Sequence, residues 1–280
     1  MRLIYALPGN EDFARRLADA GGWEVGHLET RQFPDGESYV RIHSDATGRH
    51  VVLVCTLSQP DEGFLRLAFA AEAARSLGAA SVTLLAPYLA YLRQDRRFLD
   101  GEALTSKTFA RLVSSTFDRL VTVDPHLHRY PSLSSVYSIP AAALHAAPLI
   151  ADWIGQEVEA PLLIGPDEES EQWVAAIAAR IGAPHVTLRK VRRGDRDVAI
   201  ELPELGQWHA RFPVLVDDIA SSGRTLIEAA RQLPSKGMRR PVCAVVHGIF
   251  AGNSYAELTA VAARVVSTDS ISHASNTISL

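Results

Sequence analysis

Short apolar runs and helix-patterned segments alternate almost throughout this chain, and that alternation restricts the fold more than any other feature. Runs that are apolar at consecutive positions, rather than at every second one, suit strands buried on both faces, the pattern of parallel sheets. Strands are expected at Leu3–Leu7, Glu37–Ile42, Val51–Leu57, Val82–Tyr88 and Leu120–Val123. A second series is expected at Leu162–Gly165, His185–Val191, Val198–Leu202, Val214–Asp218, Val242–Ile249 and Val265–Thr268. Helices fit between them, the clearest at Asp61–Leu77 closed by Gly78, Leu104–Ser115, Pro148–Gln156, Glu171–Ile181 closed by Gly182, and Leu226–Leu233. The expected class is therefore α/β, with mainly parallel sheets flanked by helices. In such sheets ligands gather beyond the carboxyl ends of the strands.

A chain of 280 residues suits two units of ordinary size. The segment Tyr130–Pro148, with three prolines and weak periodicity, precedes a fresh helix and strand pattern, so a division into residues 1–140 and 141–280 is expected. A formal net charge of −4 gives no basic surplus for binding nucleic acid. No apolar run is long enough to cross a bilayer, and the amino terminus does not read as a signal peptide, so a cytoplasmic protein with no membrane partner is expected. Cys55 and Cys243 each fall inside a strand pattern and are expected as buried free thiols.

One strand-to-helix corner carries the most chemistry. In Phe212-Pro213-Val214-Leu215-Val216-Asp217-Asp218-Ile219-Ala220-Ser221-Ser222-Gly223-Arg224-Thr225-Leu226 a buried strand ends in two carboxylates, and a hydroxyl-rich loop leads into a helix. Backbone N–H groups from Ser221 to Thr225 can line a concave anion nest at a helix start, with Gly223 allowing close approach. Ser221, Ser222 and Thr225 add hydroxyl donors. Asp217 and Asp218 would repel phosphate, so sugar hydroxyls or a Mg²⁺ ion are their expected partners. Phosphate beside hydroxyls describes a phosphosugar.

Other polar elements also stand where strand patterns begin or end. Phe33-Pro34-Asp35-Gly36-Glu37 is a turn with two carboxylates and an aromatic. Leu92-Arg93-Gln94-Asp95-Arg96-Arg97 is a cationic cluster whose guanidinium forks match phosphate oxygens. Val123-Asp124-Pro125-His126-Leu127-His128 offers a strand-end acid and imidazole, suited to a magnesium-bound nucleotide more than to zinc. Asp167 follows another strand, and Lys190-Val191-Arg192-Arg193-Gly194-Asp195-Arg196 is a basic segment between two strand patterns, able to stabilise a transferring phosphoryl group. No phosphate-binding G-x-x-x-x-G-K-[ST] loop is present, so any ATP site is of another kind.

These elements, in this order, resemble the ribose-phosphate pyrophosphokinase family, the phosphoribosyl pyrophosphate (PRPP) synthases, from Phe33 to about Asn253. FPDGE is similar to the family's FSDGE-type element, PYLAYLRQDRR to its PYxxYARQDR-type element and TVDPH to TVDLH. Lys190-Val191-Arg192 is similar to the KxR of the catalytic loop, and VDDIASSGRT to the VDDxxxTGGT loop. The resemblance implies two phosphoribosyltransferase-like α/β domains assembled as homodimers or larger homo-oligomers. It implies transfer of the diphosphoryl group of Mg-ATP to the 1-hydroxyl of ribose 5-phosphate, giving PRPP and AMP.

Carried across, the resemblance implies that Phe33, Asp35 and Glu37 contact ATP near a subunit interface, with Arg93, Gln94 and Asp95 completing the nucleotide site. It implies that His126 and Asp167 organise Mg²⁺, and that Lys190, Arg192 and His126 act in catalysis. Asp217 and Asp218 would hold the ribose hydroxyls, with Ser221, Ser222, Gly223, Arg224 and Thr225 around the 5-phosphate. Ser221 stands where the family often has Asp, Arg224 where it has a second glycine, and Glu168-Glu169-Ser170 where it has small residues. Two alternatives stay open at this level: a phosphoribosyltransferase that consumes PRPP, and a catalytically weak homologue acting as a nucleotide-binding regulatory subunit.

Overall fold

The computed structural model describes residues 2–167, 170–192 and 198–280, without the side chains of residues 190–192 and 198–200. Its backbone divides into two compact units, Met1–Leu144 and His145–Leu280.

Unit 1 is built on six parallel strands: β1 (Arg2–Ala6), β2 (Glu24–Val25), β5 (His50–Val54), β6 (Ser81–Ala86), β7 (Arg119–Val123) and β8 (Ala141–Leu144). They lie in the order β2-β1-β5-β6-β7-β8. Strands β3 (Leu28–Gln32) and β4 (Ser38–Ile42) form a separate antiparallel pair. Helices α1 (Glu11–Gly21), α2 (Pro60–Ser76) and α3 (Thr105–Thr116) connect them. Register explains the layering. Ile4, Val52 and Val54 share one face and pack with Ala14 and Ala18 of α1. Leu3, Val51 and Leu53 point the other way and are also fully buried, so the sheet is covered on both sides. Each such Leu, Ile or Val removed from water contributes about 1.5–3 kcal/mol before entropy is counted.

Unit 2 repeats the plan. Its strands are β9 (Pro161–Gly165), β10 (His185–Thr187), β13 (Phe212–Ala220), β14 (Val242–Gly248), β15 (Arg264–Thr268) and β16 (Asn276–Ile278), ordered β10-β9-β13-β14-β15-β16. Helices α4 (Ala147–Glu157), α5 (Glu171–Ile181), α6 (Arg224–Gln232) and α7 (Ser254–Val261) flank them. On one face Leu215, Cys243 and Val245 pack with Leu226, Ala229 and Ala230 of α6 and Leu258 of α7. The alternate residues Val214, Val216, Ala244 and Val246 are fully buried as well. Strands β11 (Arg189–Arg192) and β12 (Val198–Glu201) make a second antiparallel pair.

The expected α/β class with mainly parallel sheets is what the chain adopts. Several elements differ in detail. The run expected as one strand, His185–Val191, is split into β10 in the main sheet and β11 in the hairpin. Ala141–Leu144 pairs with β7 as the edge of the first sheet, so unit 1 extends to Leu144. No helix among the described residues is long and apolar enough to cross a membrane.

Candidate functional site

In unit 2 the Asp pair stands near the carboxyl end of β13, a strand longer than the expected Val214–Asp218. Asp217 is in register with Val245 of β14, and Ile219 and Ala220 continue the ladder with His247 and Gly248. The Asp218 N–H donates to Asp217 Oδ1 at 2.9 Å. Burial first, then the neighbouring carboxylates of Asp218 and Asp167, push the Asp217 carboxyl well above the usual carboxylate range. Asp167 comes from the segment after β9, where its Oδ1 accepts the Ser170 N–H at 3.1 Å and its carbonyl accepts the Ser170 hydroxyl at 2.6 Å. A Cβ on Gly165 would come within 2.6 Å of that hydroxyl, so the strand end is closed by a residue without a side chain.

Behind the corner, the Phe250 N–H donates to the Ala220 carbonyl and the Ala251 N–H to the Ser221 carbonyl, both at 2.9 Å. The Ser254 hydroxyl donates to the same Ser221 carbonyl at 3.2 Å. The turn is thus tied to the segment after β14. Gly223 caps α6 with φ 64°, a left-handed conformation that glycine adopts without a Cβ penalty. A Cβ there would meet Ile227 and Ser254 only at ordinary contact distance, 3.5 Å, so the backbone angle, not space, calls for glycine. Ser222 and Arg224 are exposed and Ser221 and Thr225 partly buried, all at the start of an amphipathic helix. Its positive end favours an anion.

This arrangement suits a phosphorylated ligand with neighbouring hydroxyls, and its carboxylates suit magnesium. The carboxylates of Asp218 and Asp167 lie close enough to raise the proton affinity of Asp217, and a cation relieves that repulsion. Among the described residues there is no ready-made group of three metal-ligating side chains. Magnesium does not require one, because it keeps waters and takes one or two carboxylates together with substrate phosphates.

Unit 1 brings two of the sequence-predicted segments together. After β6, Tyr91 has φ 62° and Asp124 after β7 has φ 33°, unusual angles for residues with side chains. The Tyr91 hydroxyl donates to Asp61. Arg93 is exposed and Gln94 partly buried; the Thr105 hydroxyl donates to Gln94 Oε1 at 3.3 Å. Asp95 is buried, and its carboxylate accepts Arg129 Nη1 at 2.5 Å, joining the segment after β6 to the one after β7. Arg129 was not legible as a site residue, since its partner is 34 positions away. The His126 and His128 rings meet edge to face, 3.7 Å between centroids.

The remaining predicted residues are carried on hairpins. Phe33, Asp35 and Glu37 form the exposed tip between β3 and β4, closed by the Phe33 N–H on the Glu37 carbonyl at 2.7 Å and the Glu37 N–H on Asp35 Oδ1 at 3.1 Å. The Arg31 guanidinium lies 4.5 Å from the Phe33 ring and 4.1 Å from that of Tyr39. Lys190 and Arg192 lie on β11, opposite Ile200 and Val198 of β12. Their side chains, with Glu168, Glu169 and the basic segment 193–197, lie outside the described residues.

Comparison with known proteins bears on the whole chain. Residues 2–116 match the family model described as the N-terminal domain of ribose phosphate pyrophosphokinase, and residues 132–278 match the phosphoribosyl transferase domain. A ribose-phosphate pyrophosphokinase of Methanopyrus kandleri is 33% identical over 96% of this chain and 92% of its own length. One from Saccharolobus solfataricus is 35% identical over 85% and 82%. The crystal structure of phosphoribosylpyrophosphate synthetase from Mycobacterium smegmatis superposes with a TM-score of 0.84 at 21% identity, covering 100% of this chain and 94% of that one, a likeness of fold. With relatives matched nearly end to end and a family model on each unit, this chain belongs to the ribose-phosphate pyrophosphokinase family.

Proposed function

We propose that the protein transfers the β,γ-diphosphoryl group of ATP to the 1-hydroxyl of ribose 5-phosphate, releasing AMP and forming PRPP. The hydroxyl oxygen forms a bond to the β-phosphorus, the bond from that phosphorus to the α-phosphate oxygen breaks, and the hydroxyl proton is lost. The observation that carries the reading is the β13–α6 corner, where a carboxylate pair stands beside a hydroxyl-bearing loop at a helix amino terminus. Asp217 and Asp218 accept hydrogen bonds from the ribose hydroxyls, and Ser221, Ser222, Gly223, Arg224 and Thr225 surround the 5-phosphate. The exposed Arg224 adds a cation at the rim of that loop.

In unit 1, Arg93 and Gln94 bind the nucleotide, with Asp95 behind them, and Phe33, Asp35 and Glu37 contact ATP held by a neighbouring copy in a homo-oligomer. Lys190 and Arg192 stabilise charge on the group in transfer, the chief help a protein gives to phosphoryl transfer. His126 and Asp167, the latter beside Asp217 and Asp218, would hold magnesium. When bound, that ion neutralises and orients the phosphates. Purified protein given ATP, magnesium and ribose 5-phosphate should release AMP only when all three are present. AMP release independent of ribose 5-phosphate, or none across a range of metal and phosphate concentrations, would sink the proposal.

A further inference from the structure

Three stretches of unit 1, two of them bearing predicted site residues, are knotted around one ion pair. The Asp95 carboxylate, with only 2% of its side chain exposed, accepts Arg129 Nη1 at 2.5 Å, while the Arg129 side chain remains 44% exposed. The Tyr130 hydroxyl lies 2.8 Å from the Ser106 hydroxyl and 3.4 Å from the Asp95 carbonyl. The Ser106 N–H donates to the Gln94 carbonyl at 3.4 Å, and the neighbouring Thr105 holds the Gln94 side chain. The segment after β6, the start of α3 and the segment after β7 are thereby held together at the carboxyl ends of two adjacent parallel strands, where α/β sheets bind ligands.

The cations around this knot are not equivalent. Arg96 lies over the Phe98 ring at 4.5 Å, and Arg97 donates to the Glu102 carbonyl at 2.8 Å, both within their own loop. Arg129 is instead fixed by a buried acid from another strand end, three residues beyond His126. One nitrogen of a planar fork is anchored and much of the rest faces solvent, a pre-organised way to present a guanidinium to a phosphate.

We propose that Arg129 is a further nucleotide-phosphate-binding residue of unit 1, and that Asp95 acts as its positioning residue instead of touching the nucleotide. The proposal rests on the assignment of the nucleotide to unit 1 made above. It also gives Asp95 its place: an acid next to Arg93 and Gln94 would oppose polyphosphate if it faced the ligand, and it does not oppose it when neutralised by Arg129.

The test measures ATP-analogue affinity directly, with a non-hydrolysable analogue and magnesium, alongside steady-state kinetics. Arg129→Ala should weaken analogue binding and raise the ATP KM by about tenfold to a hundredfold, the worth of a charge-assisted hydrogen bond, with the ribose 5-phosphate KM nearly unchanged. Arg129→Lys should recover only part of the loss, because the anchored fork is gone. Asp95→Asn should shift ATP in the same direction, and the double variant should lose less than the two singles combined. Variants that fold, as judged by circular dichroism, yet bind the analogue like wild type would overturn the inference. So would a fall in kcat and thermal stability with both KM values unchanged, the signature of a loop brace alone. Wild-type protein that binds the analogue but makes no PRPP would instead overturn the reaction assigned above and leave the Arg129 comparison readable.

Discussion

In unit 1 the strand third in the sheet, β5, turns into α2 through Cys55-Thr56-Leu57-Ser58-Gln59; in unit 2 the strand in the same place, β13, turns into α6 through Ser221-Ser222-Gly223. Both corners open at strand carboxyl ends and both lead into a helix. The unit 2 corner carries two adjacent acids, Asp218 helping to raise the proton affinity of the buried Asp217, followed by a glycine cap with φ 64°. The unit 1 corner holds a cavity of about 150 Å³ lined by Thr56, Ser58, Gln59, Glu62 and Arg66, with no acid pair on its strand. In unit 1 the charged chemistry stands one and two strands further along, after β6 and β7, where Arg93, Asp95, His126 and Arg129 lie. The same sheet order thus presents two chemically different sets of side chains, because strand ends are interchangeable platforms and the few residues beyond each end set their chemistry.

Substitutions that separate the two units should produce effects of descending size. The largest is expected at the hairpin: Lys190→Ala or Arg192→Ala should lower kcat by about 10²-fold or more, with smaller KM changes, as for other stabilisers of developing charge. Steady-state rates at saturating substrates decide this, and an unchanged kcat removes the hairpin from the chemistry. Next come the acids of the unit 2 corner. Asp218→Asn should raise the ribose 5-phosphate KM by about tenfold or more while sparing the ATP KM, since hydrogen bonds to charged groups are worth roughly 1.5–3 kcal/mol. Equal changes in both KM values would erase the distinction between the units.

Asp217 also predicts a pH effect on stability. A carboxyl held above its ordinary value in the folded chain takes up protons on folding. The folded state is therefore favoured at pH below the ordinary carboxylate range and loses that advantage as pH rises toward the raised value. Asp217→Asn should flatten this loss and raise the thermal midpoint of the ligand-free protein at neutral pH, read by calorimetry across pH, while impairing ribose 5-phosphate binding. A lower midpoint at neutral pH would mean that the acid is satisfied in the folded chain. Gly223→Ala should cost about 1–2 kcal/mol through its left-handed backbone. The smallest change is expected at the twin corner: Arg66→Ala should leave the ribose 5-phosphate KM within about twofold, because Arg66 lines the unit 1 cavity and not the β13–α6 corner.

Much of the fold was readable because doubly covered strands such as Val51–Val54 and Val214–Val216 are apolar at every position, a signal that survives without knowing their neighbours. The edge strand Ala141–Leu144 was not, since alanine favours no strand and only pairing with β7 makes it one. Helix α1 is short and half of its core-facing side is the alanines Ala14 and Ala18, with Phe13 and Leu17 only partly covered, so its helical pattern stands out little from the charged residues around it. Strand β3, Leu28–Gln32, is mostly polar and exists by pairing with β4. Of the candidate site, the acid pair and hydroxyl loop were legible as a local motif. The burial of Asp95 and its bond to Arg129 were not, because both depend on the register of β6 against β7.

The central claim is that a diphosphoryl group passes from ATP to the sugar bound at the β13–α6 corner. Its most direct test is to supply ATP radiolabelled at the β-phosphorus with magnesium and ribose 5-phosphate and to separate the products. Label is expected in PRPP, with the AMP unlabelled. Label appearing in ADP, with a single phosphoryl group transferred, or remaining wholly in ATP, would contradict it.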